Sequence, residues 1–176
     1  MSDNVKIHLK NVRLSFPSIF KRSVFDGNEG KYEATFLIDK SDKKTKKAID
    51  EVIKAAIEEA KVKVPADKYC LKDGDESEYD GYEGMWSLKA ANGKRPTVIG
   101  RDKAPLTEDD DVMYAGCYVN AIVDIWIQNN NYGKRANANL YGIQFVKDGD
   151  PFGNGPVDVT DDFEDLEDEL DNNEEL

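Results

Sequence analysis

Two tryptophans stand in the same relation to two cationic turns. Trp86 is followed seven residues later by Gly93-Lys94-Arg95, and Trp126 seven residues later by Gly133-Lys134-Arg135. Glycine permits a tight turn, while lysine and arginine reach phosphate oxygens. A tryptophan back along the strand offers a flat surface on which a base gains about 1–3 kcal/mol by stacking. Tyr132 stands at the second turn, and Arg101 and Tyr118 complete a candidate set of aromatic planes and cations. The residues between the members of each pair do not match, so no duplicated unit is implied. Two core tryptophans at chance spacing are the plain alternative, evenly weighted for Trp86; for Trp126 the strand pattern favours exposure.

That pattern belongs to the stretch from Gly116 to Val146. Cys117, Val119, Ala121, Val123, Ile125 and Ile127 alternate with Tyr118, Asn120, Asp124, Trp126 and Gln128, which gives a strand one apolar and one polar-aromatic face. After Asn129 to Gly133 the rhythm resumes at Ala136, Ala138 and Leu140 and changes parity at Gly142, where a bulge is expected. The stretch is a long curved hairpin with Lys134 and Arg135 at its turn.

The elements that position this hairpin can also be read. Val5, Ile7 and Leu9 alternate, then Val12, Leu14 and Phe16 do so one residue out of phase, so a bulge is expected near Lys10-Asn11, with Pro17 closing the strand. Tyr32 to Asp39 is a second strand. From Asp42 to Lys61 the apolar residues Ile49, Val52, Ile53, Ala56, Ile57 and Ala60 follow a helical period, with Ser41 as the expected cap. Lys43, Lys44, Lys46 and Lys47 oppose the macrodipole at the helix start. A solvated face is the first reading of them, a partner-facing one the second. Residues 67–84 are turn-rich and acidic. Met85 to Ala91 and Pro96 to Ile99 read as short strands around the turn Asn92 to Arg95, and 101–112 reads as loop.

The net charge of −12 is unevenly spread. Residues 157–176 hold 11 of the 36 acidic groups and no lysine or arginine, which leaves 25 acidic against 24 basic groups in the body. Three parts are therefore expected: a domain over 1–147, a Gly/Pro-rich linker over 148–156, and an acidic, disordered tail over 157–176. Phe163, Leu166 and Leu170 form one short apolar stripe in the tail, and with Leu176 they are its candidate partner-binding residues.

Other chemistries find little support. His8 is the only histidine and has no nucleophile pattern near it, and neither phosphate-binding glycine motif occurs. Asp73, Asp75, Glu76, Glu78 and Asp80 miss the calcium-loop spacing at its glycine and final glutamate. Cys70 and Cys117 are isolated, so neither a disulfide framework nor a zinc site is expected. No cofactor is implied. No apolar run approaches the roughly 18 residues of a membrane span, and the start MSDNVKIHLK lacks a signal-peptide core, so a cytoplasmic protein is expected.

The runs VRLSFP (12–17), KYEATFLI (31–38), the Asp80-Gly81-Tyr82 to Trp86 segment, RPTVIGRD (95–102), GCYVNA (116–121), YGKRANANL (132–140) and GIQFVKDG (142–149) together resemble a family of tailed-phage single-stranded DNA-binding proteins. The resemblance covers nearly the whole body. It implies a mainly β fold with one amphipathic helix, an elaborated OB-fold barrel, in a non-enzymatic protein. It also implies sequence-tolerant binding of single-stranded DNA in replication, recombination or repair, with the acidic tail contacting other replication or recombination proteins; a homodimer is left open. One feature departs from a simple OB barrel, whose helix lies between the third and fourth strands, because the helix here follows the second. The DNA-binding candidates are Trp86, Lys94, Arg95, Arg101, Tyr118, Trp126, Tyr132, Lys134 and Arg135. The competing readings are an acidic adaptor or DNA mimic that never touches DNA, and a metal-dependent nuclease using the 73–80 carboxylates.

Overall fold

The computed structural model describes residues 6–79, 81–152, 162–164 and 166. Alternating sequences form the strands β1 (Ile7–Ser18), β4 (Tyr32–Asp39), β6 (Met85–Asn92), β8 (Tyr118–Asn130) and β9 (Gly133–Lys147). β1 pairs with β4, β4 with β6, β8 with β1 and β9 with β8, all antiparallel, and a parallel contact of Ala91 in β6 with Asn139 in β9 closes the ring. Closure leaves one inner face, filled by Leu9, Leu14, Phe36, Leu88, Ile125 and Leu140. β5 (Leu71–Asp73) adds to β6, and β2 (Val24–Phe25) and β3 (Asn28–Glu29) form a small separate hairpin. The result is a mainly β protein with a single α-helix among the described residues.

Both expected bulges are present. In β1, Leu9 pairs with Ala121 and Val12 with Val119, so Lys10 and Asn11 together face Asn120. Asn11 takes φ 53°, which asparagine tolerates better than most residues, and its amide donates to Asn120 Oδ1 at 2.9 Å. In β9, Leu140 pairs with Val123 and Gly142 with Ile122, so the extra residue is Tyr141, one before the expected glycine. The bulge turns Tyr141 outward over Asp124, whose carboxylate accepts from Tyr141 Oη at 2.6 Å and Asn139 Nδ2 at 2.8 Å. Those two bonds let Asp124 lie buried on the outer face of β8. The bond to Asp124, aided by partial burial, raises the Tyr141 pKa. β1 runs past Pro17 to Ser18 with a register shift after Ser15, so the proline distorts the strand without ending it.

Helix α1 (Lys43–Ala60) buries Ile49 and Ile53 against β8 and β1. Its cap is Asp42, where Ser41 was expected. Asp42 Oδ1 accepts from the Thr45 amide at 3.1 Å, whereas the Ser41 amide is turned back to Asp39 Oδ1. The helix does follow the second strand of the ring. A second correction concerns β7 (Thr97–Ile99), expected to form a hairpin with β6. It crosses instead to β9 and pairs in parallel, Val98 opposite Ile143. The extended backbone that Pro96 favours at Arg95 carries the chain away from β6.

Residues 148–152, the first part of the expected linker, pack on the body. Arg13 Nε donates to Gly116 O, its guanidinium also reaches Asp150 O, and it lies 4.2 Å from the centre of the Phe152 ring. The Gly149 amide donates to Tyr114 Oη at 3.0 Å. A side chain at Gly116 would meet Asp150 O at 2.2 Å, so this close crossing requires glycine.

Candidate nucleic-acid interface

A groove of about 880 Å³ crosses the outer faces of β4 and β6. The parity that buries Leu88 and Ala90 turns Ser87 and Lys89 into it, and Glu33 and Thr35 enter from β4. The end of the β8–β9 hairpin contributes Trp126, Gln128, Arg135 and Asn137. Residues 68–82 contribute Lys68, Tyr69, Lys72 and Tyr79. Lys31 Nζ lies 5.9 Å from the centre of the Trp126 ring, at the outer reach of a cation–π contact. Five cations (Lys31, Lys68, Lys72, Lys89 and Arg135) thus face three carboxylates, Glu33, Asp73 and Glu76. Two of these acids are already engaged. Glu33 is 3.5 Å from Lys89 Nζ, and Asp73 is 2.5 Å from Lys40 Nζ.

Lys40 fixes the acidic segment that borders the groove. Its ammonium contacts Asp73 and Asp75 at 2.5 Å each, and Asp75 also accepts from the Gly84 amide. These bonds to Lys40 hold both carboxyls below the usual range and raise the lysine. The segment so held carries Tyr79 and Tyr82. Phe16 meets Tyr79 edge-on at 4.8 Å, Tyr79 meets Tyr82 at 5.3 Å, and Tyr82 Oη bonds Ser15 Oγ at 2.8 Å. Phe16 adopts φ 46°, a left-handed conformation costly for an aromatic residue, and its ring stays half exposed. Phe16, Tyr79 and Tyr82 also line a second groove of about 870 Å³, with Pro17, Tyr114 and Phe152. Cys70, at the border of the first groove, has its thiol pushed up to about 11 by burial, so it offers no thiolate at neutral pH.

The candidates read from sequence are distributed as follows. Trp126 and Arg135 meet in the first groove. Tyr132 is 88% exposed at the hairpin turn beside the exposed Lys134. Trp86 shares the inward parity of Leu88 and lies beside α1, with Lys40 Nζ and Lys46 Nζ at 4.7 and 4.6 Å from its ring centre. The two tryptophans therefore do not share a groove. Lys94 and Arg95 are exposed in the β6–β7 turn and line neither groove. Arg101 donates to Val146 O at 3.1 Å, outside both grooves. Tyr118 lies eight residues along β8 from Trp126, about 26 Å away at the rise of a strand. Its ring packs under Lys147 and against Gly149. Phe163 and Leu166 are exposed, whereas Leu170, Leu176 and Asp80 fall outside the described residues. Lys31, Lys68, Lys72 and Lys89 went unread as site residues; for Lys89 the alternation Trp86-Leu88-Ala90 already held the signal.

The family model described as "Enterobacter phage Enc34, ssDNA-binding protein" matches residues 5–175. A putative protein, p50, of Acyrthosiphon pisum secondary endosymbiont phage 1 is 42% identical over 174 residues, 92% of this chain and 94% of that one. The single-stranded DNA-binding protein from bacteriophage Enc34, solved in complex with ssDNA, superposes with a TM-score of 0.79 at 36% identity, covering 84% of this chain and 89% of that one. The bacteriophage T7 single-stranded DNA-binding protein gp2.5 reaches 0.59 at 15% identity over 93% of this chain and 97% of that one, a likeness of fold alone. With nearly its full length matched, the chain belongs to the Enc34 family of phage ssDNA-binding proteins.

Proposed function

We propose that this chain binds single-stranded DNA without sequence preference along the groove over β4 and β6, in phage DNA replication, recombination or repair. The observation that carries this reading is the indole of Trp126 set in a groove lined by five cations, with Lys31 beside it. Bases stack on an aromatic plane whatever their identity, and ammonium and guanidinium groups follow the backbone. In OB-type proteins oligonucleotides lie on the face of the second and third strands, flanked by the loops joining strands one to two and four to five. Here those strands are β4 and β6, Lys31 ends the first of those loops, and the β8–β9 turn is the second. The structure of the Enc34 relative in complex with ssDNA supports the reading.

Fluorescence anisotropy of a labelled homopolymer across a salt series tests it. Affinity is expected to fall by about 0.7 log units per log unit of salt for each phosphate neutralised. A flat salt response, or no binding at low salt, would refute it. The acidic tail is read as a tethered competitor for the groove and as the contact for other replication proteins. Removal of residues 157–176 should then tighten DNA binding at low salt, and an unchanged affinity rejects the competition. Under the adaptor reading, charge reversal at Lys31 and Arg135 leaves the protein's only interaction, with a protein partner, intact.

A further inference from the structure

The outer face of β8 does not stop at the groove. Asp124, Ile122 and Asn120 follow Trp126 at every second residue, about 20 Å of strand in all. Neighbouring strands meet this line in register. Ile122 pairs with His8 of β1 and with Gly142 of β9, and Gly142 with Thr97 of β7, so one row crosses four strands. The next row holds Asn120, Gln144 and Ile99, with Lys10 at the β1 bulge. Gly142 has no side chain, and it lines a hollow of about 470 Å³ that shares no residue with either groove. Ile99 and Ile122, both half-buried, are apolar residues outside the core. Charge here is one-sided. Lys6, His8 and Lys10 stand exposed at every second residue of β1, and among the described residues no carboxylate lines the hollow. The ion pairs of the described residues involve neither lysine. Asp124, the one acid on the line, is buried and already accepts from Tyr141 Oη and Asn139 Nδ2.

We propose that this hollow is a second seat for the single strand, taking the nucleotides that follow the one stacked on Trp126. Tyr141 is the next aromatic plane along the path. Its ring is 38% exposed, and its hydroxyl is tied to Asp124, two residues from Trp126. Lys6 Nζ lies 5.6 Å from the centre of that ring, which repeats the pairing of Lys31 with Trp126. Beyond Tyr141 a base can enter over Gly142, where Ile99 and Ile122 give apolar contact and Asn120, Gln144 and Thr97 give donors and acceptors. Lys6 and Lys10, about 14 Å apart at the rise of a strand, flank this path as cations that follow a backbone. An acidic peptide would meet the same lysines, but continuity with Trp126 and the flat ring of Tyr141 favour a nucleotide strand. The seat rests on the proposed reading of the groove and lengthens the path that begins there.

Oligo(dT) of graded length, titrated in excess into a trace of fluorescently labelled full-length protein, tests the seat with one chain on each strand. For the longest strands, Lys6→Ala/Lys10→Ala should lower the slope of log affinity against log salt by about 1.4, two phosphates at about 0.7 each. For the shortest strand that binds, it should change nothing. In proton–nitrogen spectra the Ile122 and Gly142 amide signals should shift with the long strand and stay in place with the short one. Equal slope changes at both lengths, or none at either, would overturn the seat. So would a Gly142 amide that stays in place under saturating long oligo(dT). If poly-glutamate moves that amide and long oligo(dT) does not, the hollow is a peptide site and the proposal fails. Trp126→Ala should weaken both lengths. If it leaves the short strand's affinity intact, the groove reading fails and the seat with it, a result told apart from the others by its appearance at the short length.

Discussion

Lys31 Nζ and the Trp126 indole, 95 residues apart in the chain, lie 5.9 Å apart across the mouth of the groove. Ring closure makes this contact. Lys31 immediately precedes β4, Trp126 lies on the outer face of β8, and the loop before β4 is thereby brought against the long hairpin. A cation beside an aromatic plane can hold a phosphate while the plane holds the base.

Trp126→Ala should weaken single-stranded DNA binding about 5- to 150-fold, the equivalent of the 1–3 kcal/mol a stacked base gains. Trp126→Phe keeps a plane and should retain most of the affinity. Trp86→Ala should behave in the opposite way, with affinity kept and stability lowered by about 2–3 kcal/mol, less than for a fully buried ring. Anisotropy titrations and urea denaturation of the three variants check the separation.

The same geometry sorts the cations. Lys31→Ala and Arg135→Ala should each reduce the slope of log affinity against log salt by about 0.7, the share of one phosphate on a single strand. Lys94→Ala and Arg95→Ala, which lie outside the groove, should leave the slope unchanged. Equal slope changes in all four variants would mean that the DNA path runs past the β6–β7 turn.

Much of the fold could be read from alternation because a closed strand ring has a strict inside. The parity of Cys117 to Ile127 and the bulge at Lys10-Asn11 came directly from it. Pairing between distant strands leaves no such mark, so the parallel partner of β7 could not be seen, and neither could the arrival of Lys68 and Lys72 at the groove. The repeated spacing of tryptophan and Gly-Lys-Arg misled for a physical reason. Trp126 has the parity opposite to Val123 and Ile125 and faces out, whereas Trp86 has the parity of Leu88 and faces α1. Spacing along a strand fixes distance; parity decides the side.

Acid should loosen the segment bearing Tyr79 and Tyr82. Asp73 and Asp75 are lowered by Lys40, so their contribution is complete above the ordinary carboxylate value of about 3.9 and is lost as the pH falls through their lower folded values. Lys40 is raised, so its contribution is complete below about 10.4 and is lost only as the pH climbs through its higher folded value. Amide exchange in residues 73–79 and 81–84 should therefore be slow and flat, after correction for intrinsic rates, between about pH 4 and 10. Protection should fall on the acid side. Lys40→Met should remove the acid limb and speed exchange there at neutral pH; an unaltered profile would show that these ion pairs do not hold the segment.

Phe16 allows strain and binding to be told apart. Its φ of 46° lies where a side chain costs roughly 1–2 kcal/mol, and glycine escapes that cost. Phe16→Ala and Phe16→Gly remove the same ring from the junction of the two grooves, so both should weaken DNA binding to the same degree if that ring meets a base. Their stabilities should differ. The glycine variant should be the more stable by about 1 kcal/mol, a shift of about 2–4 °C in Tm for a domain of this size, because only alanine keeps a β-carbon in the left-handed conformation. Equal melting temperatures would mean that the backbone at Phe16 relaxes once the ring is gone, so that the ring's contact with Tyr79 holds the unusual conformation in place.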